Sequence, residues 1–377
     1  MFAFIFFYLY EELDLNWPMH GANPQYIYEK TNLEMPVGAI DFSANINPLG
    51  PPPVLLRKWF DLFQTVQLYP DPFASRLKEK ISNQYGIPSK QLLIGNGAAE
   101  IISLLGRILA GKKVLLLQPA FSEYEEVCRI NNCDIYHHYL SEETGWELSL
   151  AKLEKDIRQV DAVFLCNPNN PTGIFYPKKL VEELLDICMQ NDCSVVLDEA
   201  FYDFVVGYED MLPLLKNYPN LIILRSLTKM YSIPGIRLGY VFASEELIAQ
   251  LQHLQSQWSI NGIALKAGEL LIEQEEFLNN TQSYIEGEKK KLFSFFKNKH
   301  FVYSNSAANY YLLKDPRLTD QKEFLTFLLN NGIIARHTYN YPSLEGRWLR
   351  FAVKSKEQNQ QLRGVLTKWK QNHPSSL

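Results

Sequence analysis

The chain has no Cys-x-x-Cys pair. Its five cysteines, Cys128, Cys133, Cys166, Cys188 and Cys193, are odd in number and lack metal-ligand spacing. That pattern argues against a disulfide framework and fits reduced thiols in a cytoplasmic protein, with no metal site expected. Cys166 sits inside the apolar run AVFLCNP and reads as a small buried hydrophobe rather than a nucleophile. Basic runs are also missing: the longest is the KKK of EKKK at 288–291, and the formal net charge is −5. A nucleic-acid surface is therefore not expected. Nor is there an apolar stretch of about 18 residues, the length a membrane span needs. The N-terminal MFAFIFFYLY is ten residues long, without a basic flank or a small-residue cleavage site. Neither a signal peptide nor stable membrane association is expected from it. Met19 precedes HGANP, where ordered-looking sequence begins, so residues 1–18 are read as the product of an upstream start codon. Internal repeats and low-complexity linkers are absent as well.

What is present is an ordinary globular composition, 46% hydrophobic and 21% charged over 377 residues, ample for a large core. Apolar strand-like runs alternate with helical periodicity through the middle of the chain. QLLIGNG leads into AAEIISLLGRILA, whose Ile101, Ile102, Leu104, Leu105, Ile108 and Leu109 recur at helical spacing. KKVLLLQP, DIYHHYL, DAVFLCNP, CSVVLDEA, LIILRSLT and LGYVFA read as further strands. Such runs separated by helices predict an α/β fold with a mainly parallel sheet between helices. One long helical stretch is expected over about 244–300, then a smaller C-terminal α/β domain containing NYYLLK, GIIARH and WLRFAV. The expected division is an N-terminal arm (1–50) packing with the small domain, a large domain (51–275) and the small domain (276–377).

In parallel sheets ligands bind beyond the carboxyl ends of the strands. The polar punctuation falls there: GNGAAE, QPAFSEY, NPNNPTG, DEAFYD and RSLTK. In RSLTKMYSIPGIRLGY (225–240), Lys229 stands at a strand end beside Ser226 and Thr228, with Arg237 eight residues on. A desolvated lysine near cations has a lowered pKa and can form a Schiff base with an aldehyde. Ser226 and Arg237 suit a phosphate. GNGAAEIIS opens a helix whose free N–H groups at Gly97, Ala98 and Ala99 suit an anion through the main chain. NPNNPTG presents Asn170 after a buried strand, and Asp198 closes the next one, where a carboxylate needs a cationic partner.

Together these motifs, from about residue 20 to 370, resemble the fold type I pyridoxal-phosphate enzymes of the class I/II aminotransferase superfamily. The resemblance implies pyridoxal 5'-phosphate as cofactor and a seven-stranded, mainly parallel sheet. It implies that Lys229 and Asp198 are catalytic: Lys229 forms the internal aldimine and Asp198 pairs with the ring nitrogen. Asn170 would bond the ring's phenolic oxygen, Phe121 of PAFSEY would stack on the ring, and Gly97, Ala98, Ala99, Ser226, Thr228 and Arg237 would hold the phosphate. Tyr69 of LYPDP matches a tyrosine that reaches the neighbouring subunit's phosphate, implying a homodimer with shared active sites. Arg350 of WLRFAV matches the arginine that binds the substrate carboxylate.

Within the superfamily, HGANP, DFSANINPLG and RHTYNYPSLEGRWLRFAV look most like the threonine-phosphate decarboxylases of cobalamin biosynthesis, with histidinol-phosphate aminotransferases next. Both take phosphorylated amino-acid-like substrates. For that substrate His20, Asn23, Asn45, Arg336 and Arg350 are the candidates, with Arg347 a further one and the division between phosphate and carboxylate left open. The motif D-x-A-Y, general in the aminotransferases, reads Asp198-Glu199-Ala200-Phe201 here, as it tends to in the decarboxylase group. Under the alternative of a neutral Phe/Tyr exchange, Tyr202 is simply a surface residue. The expected activity is decarboxylation of O-phospho-L-threonine to (R)-1-aminopropan-2-yl phosphate, with transamination of histidinol phosphate or a related amino acid as the alternative.

Overall fold

The computed structural model describes residues 17–373. The MFAFIFFYLY run and the rest of 1–16 lie outside the described residues. In chain order the strands are β1 (Ile40–Asp41), β2 (Leu92–Gly95), β3 (Lys113–Gln118), β4 (Asp134–Tyr139), β5 (Ala162–Cys166), β6 (Ser194–Asp198), β7 (Leu221–Ser226), β8 (Gly239–Phe242), β9 (Val302–Tyr303), β10 (Tyr310–Lys314), β11 (Ile333–Ile334), β12 (Arg336–His337) and β13 (Leu349–Ala352).

Seven of them form one sheet in the order β2-β8-β7-β6-β5-β3-β4. Side chains alternate between its faces, so its apolar runs feed two separate cores. Leu115, Leu117, Val163, Leu165, Val195 and Leu197 face one, while Val114, Leu116, Phe164, Val196, Ile222 and Leu224 face the other. Only β8 runs antiparallel, to both β2 and β7. The reason is the connection. Residues 227–238 hold only the short helix Leu227–Met230, too little chain for a crossover, and an antiparallel neighbour needs none. This turn therefore lies at the carboxyl ends of β2, β3, β5, β6 and β7, and it carries Lys229 and Arg237 into that edge.

The C-terminal strands form a four-stranded antiparallel sheet, β12-β13-β10-β9. Ile40–Asp41 pairs in parallel with Ile333–Ile334, and Phe42 N donates to Ile334 O at 2.8 Å. Two sequence expectations are corrected here. The stretch from about 244 to 300 is three helices, Glu245–Leu254, Gly262–Leu271 and Glu275–Asn298. A left-handed Trp258 (φ 54°) and the Asn261 cap of the second helix interrupt it. GIIARH is not one strand: β11 serves β1 and β12 serves β13. No described helix is long and apolar enough to cross a membrane.

Candidate active site

A cavity of about 710 Å³ opens at the carboxyl edge of the large sheet, walled by residues from the N-terminal segment, the sheet and β12–β13. Fourteen of the residues singled out in the sequence line it: His20, Asn23, Asn45, Ala98, Ala99, Phe121, Asn170, Asp198, Ser226, Thr228, Lys229, Arg237, Arg336 and Arg350. Gly97 stands just behind the wall. Tyr69 does not reach it in this chain; its ring is 85% exposed and packs on Trp258 at 5.3 Å between centroids. Arg347 turns away to Glu142 (3.8 Å).

Lys229 follows the Ser226 cap of its short helix, and its main chain is held by Asn47 N, which donates to Lys229 O at 3.1 Å. Burial, with Arg237 and Arg350 adding, lowers its ammonium to about 8, against the attraction of Asp198. A sizeable share of free amine is thus present near neutral pH. Asp198 is buried at the end of β6. Its Oδ1 accepts from Ala200 N (2.9 Å) and its Oδ2 from the Tyr124 hydroxyl (2.5 Å). Burial raises its carboxyl, while Tyr124, Ala200 and Lys229 oppose. Among the described residues no salt bridge reaches Asp198, so its carboxylate is short of a cation.

Ser226 Oγ and Thr228 Oγ1 lie 2.9 Å apart, and the helix Gly97–Ile108 begins beside them. The glycines let neighbouring groups approach closely. A Cβ on Gly97 (φ 76°) would stand 2.6 Å from Arg237 Nη2, and one on Gly239 would stand 2.7 Å from Ala98 N. Arg237 itself, at φ 62°, is braced by an Nη1 bond to Pro234 O (3.2 Å). Hydroxyls, helix N–H groups and a guanidinium thus share one concavity that only glycines permit.

Across the cavity, Arg350 donates from Nη1 to Asn170 Oδ1 (2.6 Å) and from Nη2 to Ser43 O (2.8 Å), while its buried Nε has no partner among the described residues. Arg is donor-only, so the Asn170 oxygen must face it and the amide nitrogen must face away. Asn45 Oδ1 is likewise buried and unpaired. Arg336 donates to Pro18 O (2.9 Å), Met19 O (2.6 Å) and Asn340 Oδ1 (2.7 Å). That fastens the N-terminal strap, whose His20 meets Glu123 at 3.0 Å.

Among the lining residues that the sequence passes over are Ser43, Tyr124 and Tyr341. For Tyr124 a signal exists, since it falls one helical turn after Phe121. Tyr202 is not a surface residue. The Arg225 guanidinium sits 4.0 Å from its ring centre, and its hydroxyl lies 3.1 Å from that of Tyr85. Arg225 is paired with buried Glu199 (2.9 Å) and with Asp210 (2.7 Å). Of the adjacent carboxylates Asp198 and Glu199 in LDEAFYDF, Asp198 faces the cavity and Glu199 the core.

The sequence model Aminotransferase class I and II matches residues 37–366. The chain belongs to that family. Among its curated relatives, a threonine-phosphate decarboxylase of Salmonella typhimurium is 35% identical over 87% of this chain and 91% of its own length. A histidinol-phosphate aminotransferase of Symbiobacterium thermophilum is 30% identical over 85% and 87%. The crystal structure of the histidinol-phosphate aminotransferase from Clostridium acetobutylicum superposes with a TM-score of 0.83 at 28% identity, covering 88% of this chain and 99% of that one. As a class I/II aminotransferase family member the chain is a pyridoxal-phosphate-dependent enzyme. Its cavity suits that cofactor: an amine of lowered pKa, a buried carboxylate short of a cation, and an anion-binding concavity of hydroxyls, helix N–H groups and guanidinium.

Proposed function

We propose that the enzyme decarboxylates O-phospho-L-threonine to (R)-1-aminopropan-2-yl phosphate, in cobalamin biosynthesis and in the cytoplasm. The observation that carries the lyase reading is Phe201. It lines the cavity at 5% exposure, its ring set edge-on against Tyr310 at 4.8 Å, where the aminotransferase pattern has a phenol. The curated decarboxylase relative at 35% identity supports the same reading.

The arrangement of the cavity supports these roles. Asp198 would pair with the ring nitrogen, and the Asn170 amide, oriented by Arg350, would donate to the phenolic oxygen. Ala98, Ala99, Ser226, Thr228 and Arg237, with Gly97 behind them, would hold the cofactor's phosphate. When bound, pyridoxal phosphate supplies the electron sink for the pair left by the departing carboxylate. Lys229 Nζ, which lines the cavity, would deliver the proton that takes the carboxylate's place on the substrate carbon. Arg336 and Arg350, with His20, Asn23 and Asn45, hold the substrate's two anionic groups.

We also propose that two copies pair through the apolar surface of Trp59, Phe60, Phe63, Leu68, Tyr69 and Phe73, all about half exposed or more. Tyr69 of each copy then reaches the other's phosphate site. Exposed apolar surface of this kind marks an interaction site.

Product analysis tests the activity. Purified enzyme with O-phospho-L-threonine should release carbon dioxide without any 2-oxo acid. The relative at 30% identity motivates the second reading, amino transfer; a strict need for an oxo acid acceptor would establish it instead.

A further inference from the structure

We propose that Tyr124 is a positioning residue that acts through Asp198: its hydroxyl clamps the carboxylate against the cofactor's ring nitrogen. The inference rests on the reading that Asp198 faces that nitrogen. Tyr124 lies in the helix Ser122–Ile130, three residues after Phe121, and its ring is 1% exposed. It stacks on Phe164 at 5.0 Å and stands edge-on to Phe121 at 5.7 Å, so neighbours on the sheet and at the cavity wall fix its direction. From there the hydroxyl donates to Asp198 Oδ2 at 2.5 Å, while Ala200 N holds Oδ1 at 2.9 Å.

Two donors on two oxygens stop the carboxylate from turning and still leave it lone pairs for a third group. Both donors are neutral. They stabilise the ionised carboxylate in a buried place without supplying the cation it lacks, so the demand for a protonated nitrogen persists. A cationic donor in the same position would pair with Asp198 and compete for it. The phenol's own acidity is suppressed by burial and by Asp198, which keeps it a donor at every working pH. No other described side chain hydrogen-bonds to Asp198, so the clamp has no substitute.

The test is Tyr124→Phe, which keeps the ring packing and removes one oxygen. Apoenzyme of the full chain is titrated with pyridoxal phosphate and, separately, with an analogue that has carbon in place of the ring nitrogen. A hydrogen bond to a charged group corresponds to about ten-fold or more in an equilibrium constant. We expect Tyr124→Phe to weaken pyridoxal phosphate by about ten-fold and to leave the analogue within two-fold, because the analogue offers Asp198 nothing to bond. Equal weakening of both ligands would mean that Tyr124 serves packing alone, and would overturn the proposal. Asp198→Asn is measured alongside. If it weakens pyridoxal phosphate selectively and Tyr124→Phe does not, the Tyr124 role fails while the Asp198 reading stands. If Asp198→Asn treats the two ligands alike, the Asp198 reading fails and the Tyr124 role with it.

Discussion

Arg336 and Arg350 stand directly opposite each other across the β12–β13 ladder, on one side of the sheet. Like charges so placed repel, and both are buried. Burial lowers the Arg336 guanidinium to about 10, with Tyr341 opposing and Arg350 adding to the shift. An anion with two charged groups, as in the proposed substrate, would relieve what the protein has left unbalanced. The Arg350 Nε, buried without a partner, is a free donor for it.

Arg350→Lys keeps the charge and loses the fork that holds both Asn170 and Ser43. Loss of one charge-assisted bond corresponds to about ten-fold or more in binding. The KM for the proposed phosphorylated substrate is expected to rise by about that factor, with the cofactor still bound. Initial rates over a range of substrate concentrations check it.

Lys229 predicts how the apoenzyme takes up its cofactor. Only the free amine can attack the aldehyde, and its ammonium titrates near 8. The rate of reconstitution at fixed pyridoxal phosphate should climb about ten-fold per pH unit below that value and flatten above it. The same shift bears on apoenzyme stability. The folded value lies below the ordinary 10.5, so the cost of the buried charge is full below about 8 and is relieved as pH rises to 10.5. Lys229→Ala should leave no cofactor attached after borohydride reduction, as intact mass will show.

Phe201→Tyr places a hydroxyl at the cavity wall beside the proposed phenolic-oxygen site. A new bond to that charged oxygen, of about 1.5 kcal/mol or more, should lower the pH of the bound cofactor's absorbance transition by about one unit. Spectrophotometric titration of the two holoenzymes measures it. Carbon dioxide release should fall in the variant if the lyase reading is right.

Arg225→Met tests the network beneath the site. Glu199 and Arg225 are both almost fully buried, at 0% and 1% exposure of their side chains. Burial raises the Glu199 carboxyl, and Arg225 is the main opposing charge. Removing it strands a carboxylate in the core, at a cost of about 3–5 kcal/mol. Urea unfolding should register that loss. Glu199→Gln with Arg225→Met should recover part of it, since the double change removes both charges.

The sheet and one side of the cavity were legible in the sequence because each strand end announces itself. An apolar run of β-branched residues stops at a polar residue, and Asp198, Asn170 and Lys229 each follow such a stop. The β7–β8 reversal was hidden because both strands have the same composition as their parallel neighbours, and only the short connection decides direction. Tyr124 was hidden by its place on a helix, where an aromatic residue ordinarily packs; its second partner, Asp198, is 74 residues away. Tyr202 could pass for an exposed ring because its cationic partner is distant in sequence. Its partner Arg225 comes from the neighbouring strand β7. The strap was also out of reach, since the Pro18 and Met19 carbonyls meet Arg336 more than 300 residues later.

That last distance matters while the chain is being made. Every group proposed to hold the cofactor within one copy, from Gly97 to Arg237, has left the ribosome while β11 to β13 are still unsynthesised. Ile40–Asp41 waits for Ile333–Ile334, and Ser43 waits for Arg350. Long-range pairings of this kind form late. A growing chain can thus assemble the residues proposed to hold the coenzyme before it has Arg336 and Arg350, proposed to hold the substrate, so that capacity for turnover certifies a finished polypeptide.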